Sequence, residues 1–473
     1  MDRAQTLLII LLVIYMVVNP PMDVRLAGDE NVYFLMGREV LRGSVPYRDF
    51  FFAHPPAMLY VLASSFMLLG TTWRAGTLVA ALVNLGLLVG CYRLCARLHG
   101  PRAAVLASAL LLGSRSFMFA AQTDGNALSL LFVVLALERH LARKDLSAGL
   151  LCGVAVLTKL FAVMVVPVIL FDMLATGRSR RSVSRFIAAF VALTLPVTVL
   201  FVHLAGMDAV TGPVVIYHLQ KEPIPLNERL GVIVGFLSSH PLALVAGLAA
   251  IRLHGRTRPG PVMLLFLLLS LFILVQKNIL IQYLVYPLAL LTVLAGRALD
   301  EVTERGDLAA VVLVLVLCLN LVWTVQWQWA RFASSQFGDA VTVFADRVRA
   351  TTTPEETVFG HSVAAATVAF LADRSMSSNV MDVFYARITS GMMDSSDLIG
   401  TIEGGRTRYL VLKGRRSAQG EDFFIPGIGG DPEFAASVQE RWRTIDVRPM
   451  DADGILVLLE PRDSGSVPPL TAS

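Results

Sequence analysis

Gly28-Asp29-Glu30-Asn31-Val32-Tyr33 follows closely on the apolar run Leu7–Val18, and Gly43-Ser44-Val45-Pro46-Tyr47 and His54-Pro55-Pro56 come after it. Two adjacent carboxylates therefore stand where the chain first meets water after a hydrophobic helix. Ionisable groups at a bilayer boundary are costly to keep there, so their placement points to chemistry at a membrane surface.

The rest of the chain supports that setting. Of its 473 residues 55% are hydrophobic and only 16% charged, and the mean hydropathy is +0.65. Soluble domains carry about a quarter charged residues, and several apolar runs here approach the roughly 20 residues that span a bilayer. The sequence thus predicts a polytopic α-helical membrane protein with membrane lipids as its surroundings. The net charge of +4 reflects basic residues gathered in loops, which report orientation and not nucleic-acid binding. Cys91, Cys95, Cys152 and Cys318 all lie in or beside apolar helices and read as small buried hydrophobes. Arg3 precedes the first apolar run, but Asn19-Pro20-Pro21 is no small-residue cleavage site, so this run reads as a retained span with a cytoplasmic N-terminus.

Further spans are expected near 75–92, 103–121, 126–137, 146–157, 160–174, 186–204, 230–251, 262–275, 279–295 and 308–325, about eleven in all. The short apolar stretch Ala57–Leu69 decides the topology. If it lies along the outer surface, Arg93, Arg97, Arg139, Arg143, Arg178, Arg180, Arg256, Arg258 and Arg297 fall on one side, as the positive-inside rule requires. If it crosses, that pattern breaks. The outer-surface reading places Asp29, Glu30, His54, Asp124, Lys159, His218, Lys221 and Lys277 together on the non-cytoplasmic face. It divides the chain into a transmembrane catalytic domain, residues 1–328, and an extracytoplasmic α/β domain, residues 329–473. In the latter, helices are expected at 339–350 and 362–372, and strands at 357–360, 408–413 and 454–460. The Ser- and Pro-rich tail Asp463–Ser473 is expected to fray.

Each polar residue also has a plain structural explanation. Asp29 and Asp124 both precede helices, where Asp is a favoured N-cap, and Glu30 in a first turn suits the helix dipole. Lys159 could snorkel to water, His218 could be an ordinary loop histidine, and His54-Pro55-Pro56 could be a rigid turn. Their common location on one face is harder to explain that way.

At these residues the chain resembles the GT-C membrane glycosyltransferases, in particular the branch of protein O-mannosyltransferases and lipid A aminoarabinose transferases. The matching features are Asp29-Glu30-x-x-Tyr33, Gly37-Arg38-Glu39, Gly43-x-x-Pro46, Pro55-Pro56 and Asp124. Gly149-x-x-x-Gly153 leading to Thr158-Lys159, then His218, and Lys277 leading to Tyr283 and Pro287, complete them over roughly residues 1–300. The resemblance implies a GT-C fold and an enzyme of the cell envelope. Such a glycosyltransferase moves a sugar, hexosyl or pentosyl, from a polyprenyl- or dolichyl-phosphate donor to an extracytoplasmic acceptor that is a glycan, lipid or protein. It implies catalytic carboxylates at Asp29, with Glu30 beside it, and at Asp124. It places Lys159 and Tyr283 on the lipid phosphate, with Lys221, Lys277 and His54 as neighbouring phosphate-side groups, and it matches His218 to a ligand of a divalent metal ion in some relatives. The chain departs from the aminoarabinose branch at Ala53-His54, where that branch has a Glu-Lys pair, so His54 either joins His218 on a metal or binds phosphate. The rival reading is a transporter or flippase of lipid-linked saccharide, which would place charges deep within spans and often repeat its halves. No such repeat is visible.

Overall fold

The computed structural model describes residues 3–20, 24, 28–120, 122, 124–254, 260–333, 337–383, 387–388, 390–404, 406–417, 420–423, 432–449 and 454–462. The tail at 463–473 and the basic residues Arg256 and Arg258 lie outside them. The architecture is a bundle of apolar helices joined to a small domain containing a five-stranded sheet.

Helix α1 (Arg3–Val18) leads to α2 (Asp29–Leu41), α3 (Ala57–Leu69) and the long α4 (Trp73–His99). The bundle continues through α5 (Pro101–Leu112), α6 (Arg115–Phe119), α7 (Asn126–Leu141), α8 (Asp145–Thr158), α9 (Val165–Ala175) and α10 (Arg180–Ala205). After α11 (Met207–Thr211) and α12 (Tyr217–Gln220) come α13 (Leu226–Ser239), α14 (Pro241–His254), α15 (Pro261–Val275), α16 (Val285–Glu304) and α17 (Leu308–Ala333). Among the described residues four helices are long and apolar enough to cross a membrane, or five if one bent pair is a single span; the other apolar helices are shorter. Helix α17 runs past residue 328 to Ala333, so the expected boundary falls within its last turns.

Two expected spans are broken. The run 230–251 forms α13 and α14, bent by 82°. Pro241 cannot donate a backbone hydrogen bond, which interrupts the helical ladder. The His240 side chain compensates, its Nδ1 donating to the Phe236 carbonyl at 2.8 Å while Nε2 accepts from Ser116 N at 3.4 Å. The run 103–121 breaks at Gly113, whose carbonyl accepts from Asn320 Nδ2 and Thr324 Oγ1, both at 2.7 Å.

Helix α3 forms over the residues the sequence assigned to the surface stretch. Met58, Leu59, Leu62 and Phe66 are buried on one side, while Met67, Leu68 and Leu69 remain exposed. Close packing here depends on glycine. At Gly76 of α4 an added Cβ would stand 2.4 Å from the Phe34 ring, so glycine there leaves room for the Phe34 ring of α2. The expected Gly149-x-x-x-Gly153 pair faces α10: a Cβ at Gly149 would meet the Phe186 carbonyl at 2.2 Å, and one at Gly153 would meet Leu193 at 3.0 Å. Small residues four apart allow such backbone approach within a bundle.

The two ends of the bundle differ in charge. Where α4, α7, α8 and α9 approach one another, buried Glu138 pairs with Arg97 at 2.8 Å and Arg139 at 3.3 Å, and Arg178 reaches Asp145 at 3.7 Å. Asp124 precedes α7 and Glu138 lies in its last turn, so these two acids occupy opposite ends of one 16-residue helix, roughly 24 Å long. Arg97, Arg139 and Arg178, three of the arginines that the sequence placed on one side, thus lie at the end away from Asp124.

The C-terminal domain begins with α18 (Phe337–Thr351), β1 (Thr357–Gly360) and α19 (Ser362–Ala372). It continues with α20 (Ser395–Glu403), β2 (Thr407–Ser417), β3 (Gly420–Phe423), α21 (Pro432–Arg441), β4 (Trp442–Pro449) and β5 (Gly454–Pro461). The sheet order is β1-β2-β5-β4, with β3 paired to β2; β1 and β2 are parallel and the other pairs antiparallel. All three strands expected from sequence are present.

This domain docks on α2. Asn31 Nδ2 donates to Thr367 Oγ1 at 2.7 Å. Arg38, only 1% exposed, donates from Nη1 to the carbonyls of Ala369 at 3.0 Å and Phe370 at 3.2 Å, and from Nη2 to that of Arg374 at 2.5 Å. Those are the last carbonyls of α19 and the turn beyond it, where a cation is favoured by the helix dipole. Glu39 Oε1 accepts from Arg38 Nη2 at 2.7 Å and balances its charge. Arg42 pairs with Asp373 beside it.

Candidate active site

Asp29 opens α2, but it does not cap the helix. Gly28 is the N-cap, with φ 125°, and its N–H donates to Asn31 Oδ1 at 3.3 Å. The capping explanation of Asp29 therefore fails locally, and its side chain is half-buried. Burial holds its pKa above the ordinary value, against the pull of Lys159 and Lys221. Glu30, one residue on, is fully buried, so the two acids of the pair occupy different environments.

Asp124 is 2% exposed. It accepts from Asn126 N at 2.9 Å and Asn126 Nδ2 at 2.5 Å, which fixes its orientation at the start of α7. Burial pushes its pKa up to about 6, opposed by Lys159 and the Asn126 backbone hydrogen bond and assisted by Asp29. Lys159 follows α8 and is 3% exposed; it does not snorkel. Burial lowers its pKa to about 8, while Asp124 and then Asp29 favour its charged form. Gly125 leaves room for it, since a Cβ there would stand 3.3 Å from Lys159 Cε. One ammonium thus faces two carboxylates brought from three separate stretches of sequence. Burial, and then the charges of Asp29 and Asp124, hold the pKa of Tyr33 of the Asp29-Glu30-x-x-Tyr33 motif well above the usual range.

A cavity of about 460 Å³ lies beside this cluster. His54, His218, Lys221, Lys277 and Tyr283 line it together with a largely apolar wall that includes Leu160, Phe161 and Phe272. Tyr283 links cavity and cluster, since Asp29 and Asp124 both act on it. Lys277 is exposed and donates from Nζ to the Leu219 carbonyl at 2.7 Å. Lys221 Nζ sits 4.3 Å from the centre of the Tyr217 ring.

His54 and His218 stack with ring centres 5.3 Å apart and planes 25° apart. Burial and the nearby lysines disfavour the charged form of both, holding His218 at about 4 and His54 well below its usual value. His218 Nε2 donates to the Ala53 carbonyl at 2.7 Å. That leaves one ring nitrogen on His218, and among the described residues no group of three His, Cys, Asp or Glu could hold a metal ion. The two histidines fall one short of the three protein ligands that a zinc site normally takes, so among the described residues His54 and His218 form a stacked pair and not a complete zinc site. Elemental analysis of the purified protein is expected to find less than one tightly bound divalent ion per chain; a stoichiometric ion lost in His218→Ala would restore its role as a ligand.

All the sequence-predicted residues except Glu30 thus meet around one cluster and its cavity. The sequence missed Asp382 and Arg387, which the C-terminal domain brings to the site. Asp382 acts on Tyr33, Tyr217 and Lys221, and Arg387 lies over Phe51 at 4.3 Å. No periodicity or motif in the sequence marks them.

A family model described as dolichyl-phosphate-mannose-protein mannosyltransferase matches residues 53–205. The structure of ArnT from Cupriavidus metallidurans bound to undecaprenyl phosphate is similar, with a TM-score of 0.66 and 16% identity over 96% of this chain and 97% of that one. The Archaeoglobus fulgidus oligosaccharyltransferase complex with Zn and sulfate gives a TM-score of 0.60 and 13% identity over 94% of this chain and 79% of that one. The same organism's AglB in complex with an inhibitory peptide and a dolichol-phosphate gives 0.58 and 13% identity over 95% and 80%. No curated protein matches by sequence. The fold is that of the GT-C membrane glycosyltransferases, as the motifs implied.

Proposed function

We propose that this protein is a glycosyltransferase that moves a sugar from a polyprenyl- or dolichyl-phosphate donor to an acceptor on the non-cytoplasmic side of the cell membrane. The observation that carries the reading is the junction of two unlike regions. A buried acid–lysine cluster, Asp29, Asp124 and Lys159, abuts a mainly apolar cavity whose polar groups are lysines, histidines and a tyrosine. An isoprenoid phosphate has the matching halves. The same family model and similar folds support it.

In the reaction the acceptor hydroxyl oxygen attacks the sugar's anomeric carbon, and its proton passes to the Asp29 carboxylate. The bond from that carbon to the phosphate oxygen breaks on the opposite face, so configuration inverts. Negative charge grows on the departing phosphate, where Lys159, Lys221 and Tyr283 stabilise it, with His54 and Lys277 lining the same end. These cations act in a low-dielectric setting, which strengthens their attraction. A raised pKa suits Asp29 to accept a proton near neutrality. Asp124 keeps Lys159 charged and in place. Arg97, Arg139 and Arg178 lie at the end of the bundle away from Asp124, which by the positive-inside rule supports a cytoplasmic N-terminus and an extracytoplasmic C-terminal domain.

The pH dependence follows from the same groups. Asp124 at about 6 must be ionised to hold Lys159, so activity falls as pH drops through that value. Lys159 at about 8 must be protonated to meet phosphate, so activity falls again as pH rises through that value. A bell-shaped kcat/KM profile between these limbs is expected; a flat profile from 5 to 9 would remove both groups from the mechanism. The function itself is tested by offering purified protein a panel of radiolabelled polyprenyl-phosphate sugars in bilayers. Consumption of one donor with label passing to an acceptor supports it, and passage of intact lipid sugar across the bilayer without transfer would make the protein a carrier.

A further inference from the structure

Four side chains from three parts of the chain form a continuous stack. The Arg387 guanidinium lies 4.3 Å from the centre of the Phe51 ring. The Phe51 and Tyr217 rings meet edge to face, with centres 5.3 Å apart and planes at 84°. Lys221 Nζ then lies 4.3 Å from the Tyr217 centre. Such cation–ring and ring–ring contacts are attractive and directional. One end of the stack is on the C-terminal domain and the other lines the cavity.

Arg387 also ties down the segment that carries Asp382, since its Nη1 donates to the Asp382 carbonyl at 2.9 Å. Asp382 is 9% exposed, so its charge acts with little screening by water. Burial disfavours the ammonium form of Lys221. Asp382 is the charge that most opposes this, ahead of Asp29.

We infer that Asp382 and Arg387 are positioning residues of the C-terminal domain that hold the Lys221 ammonium at the phosphate end of the cavity. The inference rests on the proposed function, because it concerns recognition of the donor's phosphate. On this reading the soluble domain is part of the donor site. Asp382 supplies the counter-charge and Arg387, through Phe51 and Tyr217, supplies the direction.

The test is a double-mutant cycle on the full-length protein in nanodiscs, with undecaprenyl phosphate as the probe. Asp382→Asn is expected to weaken its binding by about fivefold or more, and to add less than about twofold when Lys221 is already Met, because coupled residues are non-additive. Asp382→Glu, which keeps the charge, should restore most of the loss. Phe51→Leu interrupts the stack without changing charge and should show the same dependence on Lys221, which covers the case in which Asp382→Asn does not fold. In turnover the losses should appear in the donor's KM with kcat nearly unchanged. Unchanged binding in Asp382→Asn, or equal weakening with and without Lys221, would overturn the inference while wild-type binding still supports the function. Absence of binding by the wild type would overturn both.

Discussion

Asp29→Asn should abolish sugar transfer while the protein still inserts, folds and binds undecaprenyl phosphate. The amide has nearly the shape of the carboxylate but cannot take the acceptor's proton. General-base removal typically costs about 10²–10⁴-fold in rate, and a loss at the upper end is expected because Asp29 also supports the charges of Lys159 and Lys221. Folding should survive, since the start of α2 is organised by Gly28 and Asn31 and not by Asp29. The measurement is single-turnover transfer from a radiolabelled donor, with melting temperature and lipid-phosphate binding measured alongside. Turnover within about tenfold of wild type would take Asp29 out of the base's role. Asp124→Asn then becomes the informative comparison, because Asp124 is the other carboxylate facing Lys159.

The second large effect lies away from the chemistry. Arg38→Met should loosen the C-terminal domain from α2. The substitution retains length but leaves the carbonyls of Ala369, Phe370 and Arg374 without their guanidinium donor, and buried Glu39 without its main counter-charge. Removing one partner from a buried ionic network costs about 3–5 kcal/mol. Arg38→Lys should recover only a minor part, because an ammonium lacks the planar fork that serves several acceptors at once. Hydrogen exchange should rise in α19 and in the last turns of α2, and proteolysis of the C-terminal domain should quicken. Activity should fall as well, since Asp382 and Arg387 reach the site only when the domain is docked. A variant with wild-type melting and wild-type exchange in α19 would show that the aromatic contacts of Phe34 with Trp73 and Phe370 suffice to hold the domain.

Much of this molecule was legible before its tertiary structure. Apolar runs gave the helices because a bilayer imposes length and composition, and the charge of the loops separated one end of the bundle from the other. Three strands of the C-terminal sheet stood out by alternation. The two failures within the bundle, at Gly113 and His240, have a common cause. Hydropathy averages over a window and is insensitive to a single interrupted hydrogen bond when a side chain, near as at His240 or distant as at Gly113, satisfies a carbonyl at the break.

The residue types at the site were equally visible. Asp29, Asp124, Lys159, His218 and Lys221 are ionisable groups in a chain only 16% charged, and their position between apolar runs is itself the signal. What the sequence could not show was how each differs from its neighbours. Glu30 beside Asp29 is sealed from solvent, and Asp124 is oriented by Asn126. Lys159 is buried where two acids favour its charge, and His218 stacks on His54. Burial and the direction of a side chain depend on residues scores of positions away, so no local pattern encodes them. The same reason hid Asp382 and Arg387: their chemistry is ordinary until α2 and α19 pack together. Sequence alone therefore determined the solvent of each segment and the stock of reactive groups. The packing of helices and domain decided which groups meet, because electrostatic coupling depends on distance and dielectric and not on order along the chain.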